Sequence, residues 1–178
     1  MGCLTLVTLT YNSKKMINID NIAVFVFDFD GVLTNNMVYL DQNGKESVSC
    51  SRGDGLAFDA LRKLKKPAYI LSTEKNTVVS ARAEKLQISV LQGTENKVSG
   101  IQEIIKKENC KLENILYVGN DLNDYRVMGI CGFTACPADS HKKIKQISNI
   151  VLKTNGGHGI VRELLEDVLG LDFIEILY

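Results

Sequence analysis

The sequence predicts an α/β fold in which one parallel β-sheet is covered by helices on both faces. Residues 22–28 form a continuous apolar, β-branched run that ends in an acid, which is typical of a central parallel strand buried on both sides. Beyond this run, short apolar segments alternate with amphipathic helical patterns. Such alternation indicates a parallel sheet with right-handed crossovers.

The other elements follow from the same periodicity. Short apolar runs predict five further strands, at residues 68–72, 88–91, 115–119, 132–135 and 150–152. Amphipathic patterns predict six helices, at residues 55–64, 77–86, 98–108, 122–128, 141–146 and 159–169. One segment departs from the alternation, because two strand-like runs at residues 37–40 and 45–50 flank an Asn-Gly pair. This pattern predicts a β-hairpin after the first strand.

Composition and charge indicate one globular domain. The chain has 178 residues, of which 45% are hydrophobic, and 21 basic residues balance 21 acidic ones. Without a surplus of Lys and Arg, we expect neither nucleic acid nor a membrane surface as a partner. No apolar run approaches the roughly 20 residues of a membrane span. We expect the domain at residues 19–178, after an N-terminal extension at residues 1–18 that lacks regular structure.

The cysteines and the N-terminus predict a cytoplasmic location. The five cysteines are odd in number and include no Cys-x-x-Cys pair, which favours reduced thiols over a disulfide or zinc framework. The first apolar stretch has no basic residue before it and no small-residue cleavage site behind it. We therefore expect no signal peptide.

Polar residues are concentrated where the predicted strands end. The first strand leads into Asp28 and Asp30, the second into Ser72 and its neighbours, and a later one into the acidic loop at residues 119–124, while Lys97 opens a helix. Ligands of open α/β sheets bind beyond these carboxyl ends. Crowded carboxylates repel one another unless a cation intervenes, and an all-oxygen set suits Mg²⁺. We therefore expect Mg²⁺ as cofactor and a phosphate-bearing substrate.

In this order the motifs resemble the haloacid dehalogenase superfamily of phosphatases that use an aspartate nucleophile. The match covers about residues 22–169, with Asp-x-Asp-Gly-Val-x-Thr at residues 28–34 followed by Ser72, Lys97 and the acidic loop. The resemblance implies a Rossmann-like fold. It also implies that Asp28 attacks phosphorus, Asp30 acts as general acid and base, Ser72 binds a phosphoryl oxygen and Lys97 neutralises charge.

The resemblance also implies a set of metal ligands, with one departure from the family pattern. Mg²⁺ would be held by Asp28, by the carbonyl of Asp30 and by the loop after Gly119. That loop reads Gly-Asn-Asp, whereas the commonest family form has Asp directly after Gly. Asn120 can still offer an amide oxygen, with one negative charge fewer, and either Asp121 or Asp124 is then needed to compensate.

The spacing of the motifs leaves no room for a cap domain, because 42 positions separate Asp30 from Ser72 and 25 separate Ser72 from Lys97. In this the chain is similar to capless sugar-acid phosphatases of 3-deoxy-octulosonate 8-phosphate or nine-carbon keto-acid 9-phosphates. It is also similar to the phosphatase-like domains of acylneuraminate cytidylyltransferases. The resemblance implies a homotetramer joined through the hairpins, in which a neighbouring subunit caps the active site.

Within this branch, the residues after the second strand resemble the nine-carbon group. Glu74 is expected to accept hydrogen bonds from sugar hydroxyls, and Arg82 and Lys85 to meet a substrate carboxylate, although both cations also fit an exposed charged helix face. The full set of predicted substrate contacts is Arg52, Asp54, Glu74, Arg82, Lys85 and Asn123.

Two other classes of protein fit part of the pattern. A response-regulator receiver also combines Asp, Mg²⁺, Ser or Thr, and Lys, but it needs its phosphoacceptor on the third strand, and the run at residues 88–91 ends without an acid. A non-catalytic oligomerisation module is the second alternative. The intact Asp28, Asp30, Ser72 and Lys97 favour a phosphatase, whereas Asn120 weakly favours the module.

Overall fold

A computed structural model describes residues 17–178 as a six-stranded parallel sheet and a separate two-stranded hairpin. The strands are β1 (Val24–Phe27), β2 (Thr34–Leu40), β3 (Glu46–Cys50), β4 (Ala68–Leu71), β5 (Ser89–Leu91), β6 (Ile115–Val118), β7 (Phe133–Cys136) and β8 (Ile150–Val151). Their order across the large sheet is β5-β4-β1-β6-β7-β8, and every neighbouring pair is parallel. The predicted fold class is confirmed.

Helices cover both faces of this sheet. They are α1 (Gly53–Lys63), α2 (Val78–Leu86), α3 (Lys97–Glu108), α4 (Tyr125–Met128), α5 (Lys142–Ile147), α6 (Ile160–Glu163) and α7 (Phe173–Leu177). A wider helical turn, Leu164–Val168, continues α6, and short 3-10 turns occupy Ile19–Asn21, Leu112–Asn114 and Leu122–Asp124. Among the α-helices of residues 17–178, the periodicity missed α7, because five residues are too short to show a helical repeat.

The strand β1 lies at the centre of the sheet and divides the core into two layers. Phe25 and Phe27 face one layer, where the ring of Phe27 meets that of Phe58 from α1 edge-on at 5.3 Å between centroids. Val24 and Val26 face the other layer, which packs against α3, α4 and α5. Because β4 and β6 flank β1 on opposite sides, the loops after these three strands converge at one edge of the sheet.

The hairpin formed by β2 and β3 projects from the segment after β1, as predicted. Its turn is closed by Asp41, whose side chain accepts the N–H groups of Asn43 and Lys45 at 2.9 Å each. On β2, four consecutive apolar side chains are exposed, and Met37 and Tyr39 retain 62% and 60% of their accessible surface. On β3, Val48 is half-buried and packs against the core, so the inward and outward faces of the hairpin differ.

The predicted N-terminal extension lies outside the described residues except for Ile17 and Asn18, and Ile17 packs against the core. Cys50, Cys110, Cys131 and Cys136 are free thiols. Within residues 17–178, no helix has the length and apolarity required to cross a membrane.

A glycine run near the C-terminus packs directly against the segment that follows β1. A Cβ atom at Gly156 would lie 2.1 Å from the carbonyl oxygen of Gly31, and one at Gly157 would lie 2.4 Å from the backbone nitrogen of Asn35. The N–H of Gly157 also donates to the carbonyl of Val32 at 2.9 Å. Close backbone approach therefore requires glycine here, which supplies a physical reason for this run.

We expect Gly156→Ala to lower the free energy of unfolding by about 1–3 kcal/mol, because the new methyl group must displace backbone rather than a flexible side chain. Gly55→Ala is the matched control, since Gly55 lies in α1 with open space around the position of a Cβ atom. That variant should be neutral or more stable, by up to about 1 kcal/mol. Urea denaturation of both variants checks this, and equal losses would contradict the packing argument.

Candidate active site

The loops after β1, β4 and β6 enclose a polar cleft at the carboxyl edge of the sheet. Its volume is 320 Å³. The lining residues are Asp28, Asp30, Asn36, Thr73, Asn120, Asp121, Leu122 and Asn123. Five residues from the predicted site, two of them the carboxylates after β1, therefore face one cavity. Asn36, Thr73 and Leu122 also line it, and no sequence signal singled them out.

A buried lysine joins two carboxylates beneath this cleft. The Nζ atom of Lys97 lies 2.8 Å from Oδ1 of Asp28 and 2.7 Å from Oδ1 of Asp124. Lys97 and Asp28 are each only 3% exposed, and Asp124 is fully buried. Lys97 begins α3, where Asn96 caps the helix by accepting the N–H groups of Val98 and Ser99. The helix start therefore fixes the lysine directly under the end of β1.

Asp124 organises the loop after β6. Its Oδ1 accepts the hydroxyl of Tyr117 at 2.8 Å as well as Lys97, and its Oδ2 accepts the backbone N–H groups of Asn120 at 2.9 Å and Asp121 at 3.3 Å. Four donors thus saturate this carboxylate. Of the three candidates for the metal position, Asp124 is the one that does not line the cleft. The hydroxyl of Tyr117 is a contact of this loop that no sequence signal singled out.

The charges of this network shift the pKa values of its members. Burial raises the pKa of Asp28 above its ordinary value, Asp124 raises it further, and the contacts with Lys97 oppose both effects. Burial would lower the pKa of Lys97, but its two carboxylate partners outweigh burial and raise it. One lysine therefore faces two carboxyl groups, and its contact with Asp28 does not cancel the effects of burial and of Asp124 on the pKa of Asp28.

The turn between β1 and β2 places Asp30 at the cleft. Gly31 adopts φ +73°, and its N–H donates to Oγ1 of Thr34 at 3.2 Å, which closes the turn. The side-chain amide of Asn120 lies against Gly31, where an added Cβ would come within 1.9 Å of Nδ2. Burial, and after it the charge of Glu74, raises the pKa of Asp30. The half-buried Asp30 thus sits beside further acids.

Ser72, directly after β4, lies next to the cleft but is not one of its lining residues. Ser72 is buried, and its Oγ accepts the backbone N–H of Glu74 at 3.1 Å. Because that bond uses only an oxygen lone pair, the hydroxyl proton of Ser72 stays available as a donor. Glu74 is half-buried, and its Oε1 accepts the N–H groups of Lys75 and Asn76.

The predicted substrate contacts fall into two groups. Asn123 lines the cleft, and Glu74 lies close enough for its charge to act on Asp30. Within the single chain, Asp54 instead makes internal contacts, because its Oδ1 accepts the N–H groups of Val161 at 3.0 Å and Arg162 at 3.4 Å, and burial raises its pKa to about 6.

The remaining cations predicted to contact substrate lie outside the cleft lining. The Nη2 atom of Arg82 donates to the carbonyl of Ser51 at 2.7 Å, which ties α2 to the start of α1. Arg52 and Lys85 are exposed. Their contacts with substrate, like those of Arg82 and Asp54, stay predictions.

Comparison with known proteins agrees with this geometry. The family of haloacid dehalogenase-like hydrolases matches residues 56–164. The chain is 31% identical over 159 residues to 3-deoxy-D-manno-octulosonate 8-phosphate phosphatase KdsC of Escherichia coli (strain B / BL21-DE3), covering 89% of this chain and 85% of that protein.

Solved structures are also similar to this fold. The structure of a protein from Streptomyces avermitilis MA-4680, described as a HAD family hydrolase, superposes with a TM-score of 0.86 at 38% identity. The superposition covers 90% of this chain and 92% of that one. The 3-deoxy-D-manno-octulosonate 8-phosphate phosphatase of Moraxella catarrhalis, solved with magnesium, phosphate and KDO, superposes with a TM-score of 0.81 at 27% identity, covering 85% and 88%.

The fold places two aspartates after β1 and a buried lysine in contact with the first of them at the carboxyl edge of the sheet. The chain belongs to the haloacid dehalogenase-like hydrolases. Within that family it is a phosphatase of the branch that contains the octulosonate 8-phosphate enzymes.

We expect Asp124→Ala to lower the free energy of unfolding by about 3–5 kcal/mol, because it removes one of two acceptors from a buried lysine and strands three other donors. Asp121→Ala is the matched control three residues away, where the exposed Asp121 only caps a short turn. Its loss should be about 1 kcal/mol. Denaturant titration compares the two, and similar losses would contradict the central role of Asp124.

Proposed function

We propose that this protein hydrolyses the phosphomonoester of a sugar-acid phosphate through an aspartyl-phosphate on Asp28. The observation that carries the proposal is the contact of Lys97 with Asp28 beneath a cleft that Asp28 and Asp30 both line. Both hydrogen bonds recorded for Asp28, from Lys97 and from the N–H of Phe29 at 2.7 Å, reach Oδ1. The second oxygen, Oδ2, is therefore the one available to attack phosphorus.

In the first step, Asp28 forms a bond to phosphorus while the bond from phosphorus to the leaving alkoxide breaks. Asp30 donates its proton to that alkoxide, a general-acid task that typically contributes 10²–10⁴-fold. Lys97 offsets the negative charge that is shared between Asp28 and the phosphoryl group. Ser72 donates its free hydroxyl proton to a phosphoryl oxygen.

In the second step, water attacks the phosphorus of the aspartyl-phosphate. Asp30, now deprotonated, accepts the proton of that water, and the bond between phosphorus and Asp28 breaks to release inorganic phosphate. The same residue therefore serves as acid and then as base. The covalent intermediate divides one difficult displacement at phosphorus into two easier ones, and the first uses a carboxylate instead of water as the nucleophile.

The residues around the cleft fit the Mg²⁺ ion that phosphatases of this family use. Asp28, the backbone carbonyl of Asp30, Asn120 and Asp121 offer oxygen ligands, the chemistry that Mg²⁺ prefers, and the surplus of carboxylates over Lys97 favours a cation. Bound there, Mg²⁺ would neutralise phosphate charge and orient the phosphoryl group. Within residues 17–178, no three His, Cys, Asp or Glu side chains cluster as a metal site, and this set instead includes an amide and a carbonyl.

The substrate class rests on the relatives and on the wall of the cleft. The curated relatives act on 3-deoxy-D-manno-octulosonate 8-phosphate, which supports a keto-sugar acid. Glu74 lies in the loop after β4, near Asp30. The sequence of this loop resembles that of the nine-carbon enzymes, which supports a nonulosonate 9-phosphate as substrate. Free thiols at four cysteines favour the cytoplasm as the place of this reaction.

We expect the wild-type protein with Mg²⁺ to release phosphate from a nine-carbon keto-acid 9-phosphate or from 3-deoxy-octulosonate 8-phosphate. Asp28→Asn should lower kcat by roughly 10⁴-fold or more, because it removes the nucleophile at constant volume. Phosphate release and circular dichroism measure activity and fold. Turnover in the Asp28→Asn variant would exclude the mechanism, and an inactive wild type would favour the non-catalytic module.

The hairpin supplies the surface for the proposed tetramer. Met37 and Tyr39 leave apolar surface uncovered on its outward face, and in a capless enzyme a neighbouring copy can close the cleft and exclude water. Association through the hairpins would bury these side chains.

We expect Met37→Asp combined with Tyr39→Asp to give monomers whose kcat/KM on sugar-acid phosphate falls by about 100-fold, because the closing wall is lost. Ile130→Asp combined with Val151→Asp adds the same charge at other exposed apolar positions and should leave assembly and activity intact. Light scattering with paired kinetics measures both pairs. A fully active monomer would show that no neighbouring subunit is required.

A further inference from the structure

The loop after β4 forms one wall of the cleft and holds Glu74 by backbone contacts. Thr73 lines the cavity, and Oε1 of Glu74 accepts the N–H of Lys75 at 2.6 Å and that of Asn76 at 2.7 Å. The N–H of Glu74 in turn donates to Ser72. Because both bonds to the carboxylate use Oε1, Oε2 is the oxygen left for a ligand.

Asn76 connects this loop to the hairpin through its side chain. Its Oδ1 accepts the N–H of Val78 at the start of α2, at 3.1 Å. This bond fixes the orientation of the amide, because the opposite end must then be the NH₂ group. That group, Nδ2, donates to Oε2 of Glu46 on β3 at 3.1 Å. Asn76 therefore contacts Glu74 through its backbone and Glu46 through its side chain.

Glu46 lies on the inward face of the hairpin, the face that packs against the core. Along β3, the half-buried Glu46, Val48 and Cys50 alternate with exposed serines, and Val48 and Cys50 pack against the core. The hydrogen bond from Asn76 holds Glu46 beside the loop whose Thr73 lines the cleft. The hydrogen bond from Asn76 uses Oε2 of Glu46 and leaves Oε1 for a ligand.

We propose that Asn76 is a positioning residue that holds Glu46 beside Glu74, so that Glu46 is a second acceptor for substrate hydroxyl groups next to the one that the family resemblance implies. The inference rests on the proposed function, because it specifies which part of a sugar-acid phosphate this wall recognises. Neighbouring carboxylates repel each other, and two hydroxyl donors of a polyol relieve that repulsion through charge-assisted hydrogen bonds. The wall therefore selects polyhydroxylated substrates over phosphate esters that lack hydroxyls.

The test uses variants that separate the contact with Glu46 from the cap of α2. Asn76→Ser keeps an acceptor for the N–H of Val78 but is too short to reach Glu46, and Glu46→Ala removes the second acceptor. Glu46→Gln keeps the size and a carbonyl acceptor without the charge. Asn43→Ala is the matched control, because Asn43 lies exposed in the hairpin turn, where its N–H donates to Asp41.

Kinetics are measured in the full chain with Mg²⁺ on the two sugar-acid phosphates and on p-nitrophenyl phosphate, which has no sugar hydroxyls. We expect Asn76→Ser and Glu46→Ala to raise KM for the better sugar-acid phosphate by about tenfold, and Glu46→Gln by less, with p-nitrophenyl phosphate unaffected. Because Asn76 acts through Glu46, the double variant should lose no more than the worse single variant. Asn43→Ala should match the wild type.

Three results would overturn the inference. Equal losses on both kinds of ester would indicate a merely structural role, unchanged KM values would exclude a contact with hydroxyls, and additive losses would exclude action through Glu46. Failure of the proposed function is visible in the wild type alone, as hydrolysis of p-nitrophenyl phosphate without phosphate release from either sugar acid. That result would remove the inference as well.

Discussion

The site depends on one buried interaction, the contact of Lys97 with Asp28 and Asp124. A lysine and two carboxylates removed from water carry a large desolvation cost, which only close contacts and further hydrogen bonds offset. The contacts at 2.7 and 2.8 Å and the three additional donors to Asp124 supply that compensation. The lysine thereby joins α3, the end of β1 and the loop after β6, so the charge balance of the site and the local fold depend on the same contacts.

Close backbone packing holds the segment after β1 from the other side. Gly156 and Gly157 press against the backbone of residues 31–35, and Asn120 lies against Gly31. Asp54 secures the C-terminal segment by accepting the N–H groups of Val161 and Arg162 at the start of α6. The family resemblance places Asp54 at the substrate, but within one chain Asp54 joins α1 to that segment.

The two faces of the hairpin carry different kinds of side chain. Its outward face exposes apolar side chains such as Met37 and Tyr39, whereas its inward face carries Glu46, which accepts a hydrogen bond from Asn76. A small capless domain leaves its active site open at the top, so recognition of anything beyond the phosphate must come from neighbouring loops or a second chain. Asn76 is the point at which the loop after β4 meets the hairpin.

The sequence by itself determined the sheet, the hairpin and the motif residues that meet at the carboxyl edge of the sheet, because these depend on local periodicity and on motif order. The run at residues 22–28 identified the central strand. Positions at the ends of strands, or at the start of a helix, identified the candidate site residues Asp28, Asp30, Ser72 and Lys97. Only the tertiary structure decided that Asp124 is saturated by Lys97, Tyr117 and two backbone N–H groups, and that Asn76 bridges to Glu46. These pairings join residues from different elements, and spacing along a chain does not reveal which polar atoms will share one buried volume.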